Sequence, residues 1–330
     1  MKVAGIDVSS QTVTLVISRD DRMGKPREIK NTPQGHATLS NRLRKAKVSR
    51  VCLEATGQYH FDLALALDNA GLPLMVVNPK AAKRFAEAMQ TRTKTDAVDA
   101  AVLAQFALRM PFEPWQRPDD LALTIRACAR RIAALNKLRT QTKNQLHAAQ
   151  STATTPDFLI AELQQSIDHF EAHIEQLRRQ ALDLIAADEA LQQSFKLLVS
   201  TTGIAAASAI QLLGELLVLP EDLRAKQWVA MAGLDPREHS SGSSVKKKPC
   251  LSKAGNRYLR IALYMPALSA AHHDPNVRAY YHHLIETRGL KKLQALCAVM
   301  RKLLLAIHAM FKTNSPFDGR RFFTPSKTTA

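Results

Sequence analysis

Lys2-Val-Ala-Gly-Ile-Asp-Val-Ser-Ser10, followed after Gln11 by Thr12-Val-Thr-Leu-Val-Ile-Ser18, decides the fold. Both are short runs rich in apolar and β-branched residues, and their spacing predicts two consecutive strands. Asp7 stands inside the first. A second carboxylate, Glu54, ends the strand-like run Val51-Cys-Leu-Glu54 just before Ala55-Thr-Gly57. Two more, Asp96 and Asp99, lie three apart at the start of the helical pattern Asp96-Ala-Val-Asp-Ala-Ala-Val-Leu-Ala-Gln-Phe106, so both leave one face of its first turn. Acids brought to one point repel and raise one another's pKa unless a cation compensates. Oxygen-only ligands suit Mg²⁺ or Mn²⁺ and not zinc. Taken singly, Asp96 reads as a helix N-cap, Asp99 as a first-turn acid favoured by the helix dipole, and Glu54 as a polar strand end. An Asp inside an apolar run is not explained in that way.

Outward from these acids, strands are expected near 2–8, 12–18, 26–30, 50–54 and 73–77, with helices near 34–47, 59–70, 79–89 and 96–109. Three strands and then strand-helix alternation is the order of an RNase H-like α/β fold. It places Asp7 on a central strand and packs the Asp96/Asp99 helix across the sheet, so the four side chains converge. No G-x-G-x-x-G follows the first strand and no Walker A lysine loop exists, which disfavours Rossmann and P-loop enzymes.

At 330 residues and 46% hydrophobic, the chain has room for two or three globular modules. No run approaches the roughly 18 apolar residues of a membrane span, and the first residues lack signal-peptide order, so a cytoplasmic protein is expected. Cys52, Cys128, Cys250 and Cys297 are scattered without a C-x-x-C pair, which excludes a zinc ribbon and points to reduced core thiols. The net charge of +17 favours a polyanionic partner, and from Leu191 onward 20 Lys and Arg stand against 8 Asp and Glu.

Three modules are expected: 1–112, 113–194 and 195–330. Pro111-Phe-Glu-Pro-Trp-Gln-Arg-Pro118 reads as a linker, since proline continues neither a helix nor a central strand. The middle module carries Ile125, Cys128, Ile132 and Leu135 at helical spacing, then a heptad seam at Ile160, Leu163, Ile167, Phe170, Ile174 and Leu177. That seam fits a coiled coil made with the preceding helix or with another protomer, or an ordinary bundle helix. The third module reads as helical apart from one polar loop. Leu197-Leu-Val-Ser-Thr-Thr-Gly203 feeding Ala205-Ala-Ala-Ser-Ala-Ile-Gln-Leu-Leu213 is a glycine turn like that of a helix-hairpin-helix. The loop His239-Ser-Ser-Gly-Ser-Ser-Val-Lys-Lys-Lys248 fits a phosphate cradle that presents a hydroxyl, or a solvated loop. Arg92, Lys94, Arg237, Lys246, Lys247, Lys248, Lys253, Arg257 and Arg260 are candidates for phosphate contacts, with solvated charge as the plain alternative. His272-His273 and His282-His283 are adjacent pairs that diverge by about 100° on a helix, and so are not read as metal ligands.

Taken in order, Gly5-Ile-Asp7, Glu54-Ala-Thr-Gly-Gln-Tyr59, Asn78-Pro79, Lys94-Thr-Asp-Ala-Val-Asp99, Ala232-Gly-Leu-Asp-Pro-Arg237, Ser241-Gly-Ser-Ser-Val245, Ser252-Lys-Ala-Gly255, Arg260-Ile-Ala-Leu-Tyr-Met-Pro266 and Pro316-Phe-Asp318 resemble one family. It is the DEDD transposases of bacterial insertion-sequence family one-ten, understood as bridge-RNA-guided DNA recombinases. The resemblance runs through nearly the whole chain. It implies a RuvC-like N-terminal domain in which Asp7, Glu54, Asp96 and Asp99 hold Mg²⁺ (or Mn²⁺), a coiled-coil middle, and a mostly helical C-terminal transposase domain whose nucleophilic serine matches Ser241. Residue chemistry alone does not separate Ser241 from Ser240, Ser243 or Ser244. The resemblance further implies a covalent phosphoserine, strand exchange between donor and target DNA, a structured noncoding bridge RNA, and work at the nucleoid when DNA is bound. Two departures stand out: Thr202-Gly-Ile-Ala205 replaces Pro-Gly-Ile-Gly, and Lys246-Lys-Lys-Pro-Cys250 replaces a more glycine-rich stretch. Serine and acids belong to different modules, so a composite site in a homodimer or homotetramer is expected. The rival readings are a hydrolytic junction resolvase or nuclease that uses the same acids with water, and a non-enzymatic nucleic-acid-binding protein.

Overall fold

The computed structural model describes residues 1–324 apart from Thr56, Gln58 and 242–244, with side chains over 239–248 outside the description. It divides into two compact units, Met1–Arg117 and Pro118–Ala330.

The first unit is built on one sheet. Its elements are β1 (Lys2–Val8), β2 (Thr12–Arg19), β3 (Arg22–Met23), β4 (Arg27–Lys30), α1 (Pro33–Ala46), β5 (Arg50–Glu54), α2 (Phe61–Asn69), β6 (Leu74–Val77), α3 (Pro79–Ala88) and α4 (Asp96–Arg109). Strand order is β3-β2-β1-β5-β6, with β4 also pairing β2. The first strands are antiparallel, and β5 and β6 join β1 in parallel. This is the α/β arrangement expected of a RuvC-like domain. Alternation sends successive side chains to opposite faces. Ala4, Ile6 and Val8 pack with Leu39 and Leu43 of α1 and Leu63 and Leu67 of α2. Val3, Cys52, Met75 and Val77 pack with Ala82 of α3 and Leu103, Phe106 and Ala107 of α4.

Gly5 sets how closely α4 approaches that second face. A Cβ there would overlap the Ala100 carbonyl oxygen and the Ala104 nitrogen, so only glycine lets the helix backbone lie on the strand. Thr95 caps α4, its Oγ1 accepting from Val98 N at 3.3 Å. At the far end, Gln105 and Arg109 bind the Asp21 carboxylate, with Arg109 Nη2 at 2.9 Å.

The second unit contains α5 (Asp120–Gln150), α6 (Asp157–Ala186), α7 (Glu189–Val199), α8 (Ala206–Leu216), α9 (Ala225–Met231), β7 (Pro236–Ser241), β8 (Val245–Leu251), α10 (Arg257–His273), α11 (Pro275–Glu286), α12 (Lys292–Thr313) and α13 (Gly319–Phe322). The long helices α5 and α6 pack on one another across a short turn, with Ile125, Ile132, Leu135, Ile167 and Ile174 buried. The seam of α6 therefore meets the preceding helix of its own chain. Both helices share one core with α8, α10 and α12, so 120–194 and 195–330 contribute to a common apolar interior. Glu215 of α8, 2% exposed, ties three helices together. It accepts from Arg130 Nε at 2.7 Å and Asn256 Nδ2 at 2.5 Å, and Arg126 Nε stands 3.7 Å away. The Arg130 guanidinium also lies over the Tyr258 ring at 4.5 Å.

Two expectations are corrected, those for the polar loop of the third module and for Cys250. The polar loop of the third module is a two-stranded antiparallel ribbon, β7–β8, with Ser241 paired to Val245. Gly203, at φ +94°, turns where α10 passes: a Cβ would meet the Pro266 carbonyl and Ala270 nitrogen, so this glycine serves helix packing. Cys250 is exposed rather than buried in a core. The helix α12 passes for a membrane span by length and composition alone, although Arg301 and Lys302 interrupt its apolar run. Its Val299, Leu303, Leu304 and Ile307 are instead wholly buried in the core, which accounts for the composition.

Candidate active site

The sheet register carries Asp7 to the others. Asp7 pairs with Thr14 across β2, and Ile6 pairs with Leu53, so one more residue along puts Asp7 beside Glu54 on the parallel neighbour. Both acids share the face with Val3 and Cys52, the face that α4 covers. Gly5 meets Ala100 and Ala104 while Asp7, farther along the strand, feels the charges of Asp96 and Asp99, so β1 and α4 run in opposite directions there. Two residues up the strand and one turn back along the helix stand Asp7 and the Asp96/Asp99 turn. A tight glycine contact thus converts into a gathering of carboxylates.

Electrostatics register the gathering. Burial, then the charges of Asp96, Asp99 and Glu54, push Asp7 up to about 6 from 3.8, opposed by a hydrogen bond from the Val8 backbone. Asp99 is also raised, first by burial and then by Asp96, with Lys94 pulling it down. The Cys52 thiol is pushed up to about 12 by burial and by Glu54, which leaves it inert as a nucleophile. Oxygen donors from four carboxylates suit a hard divalent cation, so the donor chemistry fits. Among the described residues, no three His, Cys, Asp or Glu side chains are drawn together closely enough to enclose an ion.

Arg92 and Lys94 are exposed in the segment that leads into α4, beside the acids. Arg237, Lys253 and Arg257 are exposed in the second unit. Arg260 is occupied: its Nη1 donates to the carbonyls of Ala232 at 2.7 Å and Gly255 at 3.3 Å, which fixes the Gly233 turn. The backbone of Ser241 ends β7, with Lys246 opposite Ser240 and Lys247 opposite His239. The side chains of Ser241, Lys246, Lys247 and Lys248, and residues Ser243 and Ser244, lie outside the described set.

One acid escaped the sequence reading. Glu28 on β4 pairs with Thr14, which pairs with Asp7, so Glu28, Thr14 and Asp7 form one cross-strand row on the face that α4 covers. Glu28 and Asp96 line one cavity of about 560 Å³. The available signal was register, which local patterning does not state.

The chain is similar to known proteins over most of its length. The DEDD transposase profile of insertion sequence IS110 matches residues 4–154, and that of the "Transposase IS116/IS110/IS902 family" matches residues 195–282. The pilin gene-inverting protein of Moraxella bovis is 30% identical over 81% of each chain, and that of Moraxella lacunata is 31% identical over the same share. A solved structure of T. thermophilus RuvC in complex with a Holliday junction substrate covers 35% of this chain and 99% of its own, at 18% identity and a TM-score of 0.28.

Proposed function

The chain belongs to the IS110 family of DEDD transposases and is a DNA transposase or recombinase; on that premise we propose that it exchanges DNA strands through a phosphoserine on Ser241, guided by a noncoding bridge RNA. The observation that carries the catalytic half is the rise of Asp7 to about 6 under its burial and three neighbouring carboxylates. A divalent cation, Mg²⁺ or Mn²⁺, held by Asp7, Glu54, Asp96 and Asp99 would neutralise the charge that develops on a phosphodiester's oxygens. The Ser241 hydroxyl attacks phosphorus: a serine-oxygen-phosphorus bond forms, one phosphorus-oxygen bond of the strand breaks, and that strand leaves as a hydroxyl. The serine proton passes to solvent, and the leaving oxygen takes one up. The hydroxyl of another strand then attacks the phosphoserine and restores the side chain.

Arg92, Lys94, Arg237, Lys246, Lys247, Lys248, Lys253 and Arg257 hold nucleic-acid backbone in this reading, and Arg260 stiffens the turn next to them. Base pairing by the RNA selects donor and target DNA, while the protein reads backbone and shape. The protein acts in the cytoplasm at the nucleoid, as a homodimer or homotetramer.

The test is an SDS-resistant adduct formed by protein, Mn²⁺, the element's own RNA and its terminal DNA. Ser241→Ala is expected to abolish the adduct, and so is Asp7→Asn. Strand cleavage that persists at full rate in Ser241→Ala, with free phosphate ends, would overturn the serine and leave a hydrolytic resolvase built on the same acids. Adduct formation unaffected by ribonuclease would overturn the guide.

A further inference from the structure

Beside the four acids lies a cavity of about 560 Å³ between the sheet edge and the start of α4, lined by Thr14, Pro26, Glu28, Thr95, Asp96 and Ala97. It opens broadly to solvent, so a planar group can enter it from outside. Its polar groups are arranged unlike those of a phosphate site. Glu28 and Asp96 are both carboxylates, so a free phosphate is repelled. Thr14 is only 6% exposed and borders the cavity, and its hydroxyl is not among the buried side-chain atoms left without a partner, so it opens onto the cavity. Thr95 Oγ1 accepts from Val98 N and keeps its own proton to donate. The Pro26 ring and the Ala97 methyl supply apolar walls.

We propose that this cavity receives a nucleobase from next to the scissile phosphate, turned out of its stack, with Glu28 accepting a hydrogen bond from the base's exocyclic amino group and Thr14 bonding its edge. The reading rests on the proposed acid site: Asp96 belongs to both, so a strand whose phosphodiester sits at the acids places an adjoining nucleotide at the cavity mouth. Base edges carry the pattern these walls complement. A carboxylate pairs with an amino donor, a hydroxyl serves either a donor or an acceptor, and flat apolar walls take the ring faces. The Glu28 position follows from register: β4 brings it to the row of Asp7 and Thr14 but two strands away, which is outside the acid cluster and next to whatever occupies it. A separate hydrated cation held by Glu28 is the competing occupant.

The experiment uses the full chain with DNA spanning an end of its element, carrying 2-aminopurine at successive positions. This base brightens when it leaves the stack and bears an exocyclic amino group. One position is expected to brighten with the wild type and with Asp7→Asn, and to stay dark with Glu28→Ala and with Thr14→Val. In parallel, Mn²⁺-dependent cleavage is followed on DNA in which each base near the cut loses its amino group. One such replacement is expected to slow the wild type by about 5- to 150-fold and Glu28→Gln by less than about twofold. The proposal is overturned if no position brightens, if Glu28→Ala brightens like the wild type, or if Glu28 variants slow every substrate equally while raising the Mn²⁺ requirement. Failure of the acid site itself looks different: Asp7→Asn would cleave like the wild type, whatever the fluorescence reports.

Discussion

Replacing Asp7 with Asn is expected to abolish catalysis and yet stabilise the cation-free protein. Asp7 is raised from 3.8 to about 6. A shift of about 2 pH units corresponds to about 3 kcal/mol, and because the side chain is only half-buried, water screens this to about 1–2 kcal/mol. The sign follows from linkage. Folded Asp7 holds its proton more tightly than unfolded Asp7, so its contribution is fully present below pH about 3.8 and is lost as pH rises through about 6. At pH 8 in EDTA the ionised carboxylate is a net cost, caused first by burial and then by Asp96, Asp99 and Glu54. The amide keeps the volume and removes the charge. Asp7→Asn should therefore raise stability by about 1–2 kcal/mol at pH 8, with the gain vanishing near pH 4. The assay is urea unfolding followed by Trp115, which packs on the core of the first unit, in a Trp228→Phe background. Millimolar Mg²⁺ should stabilise the wild type and reverse the ranking. A destabilised Asp7→Asn at pH 8 in EDTA, or a gain that persists unchanged at pH 4, would refute the idea that the four carboxylates crowd one another.

Three further outcomes are expected. Gly5→Ala forces a methyl into the α4 backbone and should cost about 3 kcal/mol or more in urea unfolding, with cation-dependent stabilisation lost as the Asp96/Asp99 turn is displaced. Glu215→Ala leaves the half-buried Arg126 and Arg130 facing no acid and should cost about 2–3 kcal/mol, while Glu215→Gln, which still accepts from Asn256, should cost less. Lys302, whose ammonium lies under the rings of Tyr280, Phe322 and Phe323 and whose pKa burial lowers, should tolerate Met within about 1 kcal/mol because lost cation-π attraction offsets recovered desolvation. Equal urea midpoints for Lys302→Met and Lys302→Ala would show that the alkyl stem contributes nothing.

The first unit was legible wherever local chemistry states the element. Thr95 caps and Pro111 follows, so the helix expected at 96–109 is the helix observed as Asp96–Arg109. Alternating β-branched residues fixed β1 and β2 within a residue. Asp7 stood out because an acid in an apolar run has no local reason to be there. What sequence could not state was register, partner and context. Glu28 reads as one more acid on an edge until two rungs of pairing align it with Asp7. The seam of α6 announces an apolar stripe and not its mate, which is α5. The ribbon β7–β8 escaped because serines and lysines give no apolar alternation, and its pairing rests on backbone bonds. Arg260 reads as a surface cation until the carbonyls of Ala232 and Gly255 are seen to hold it.

The position of Cys250 has a practical use. Burial pushes Cys52 up to about 12 and also raises Cys128 and Cys297, while Cys250 stands in the open, opposite Arg237 at the root of the ribbon. A maleimide dye offered near neutral pH will therefore settle on one thiol of the native chain. If the proposed contacts of Arg237 and the ribbon lysines hold, fluorescence from that dye would follow DNA reaching the ribbon in real time, with no engineered labelling handle.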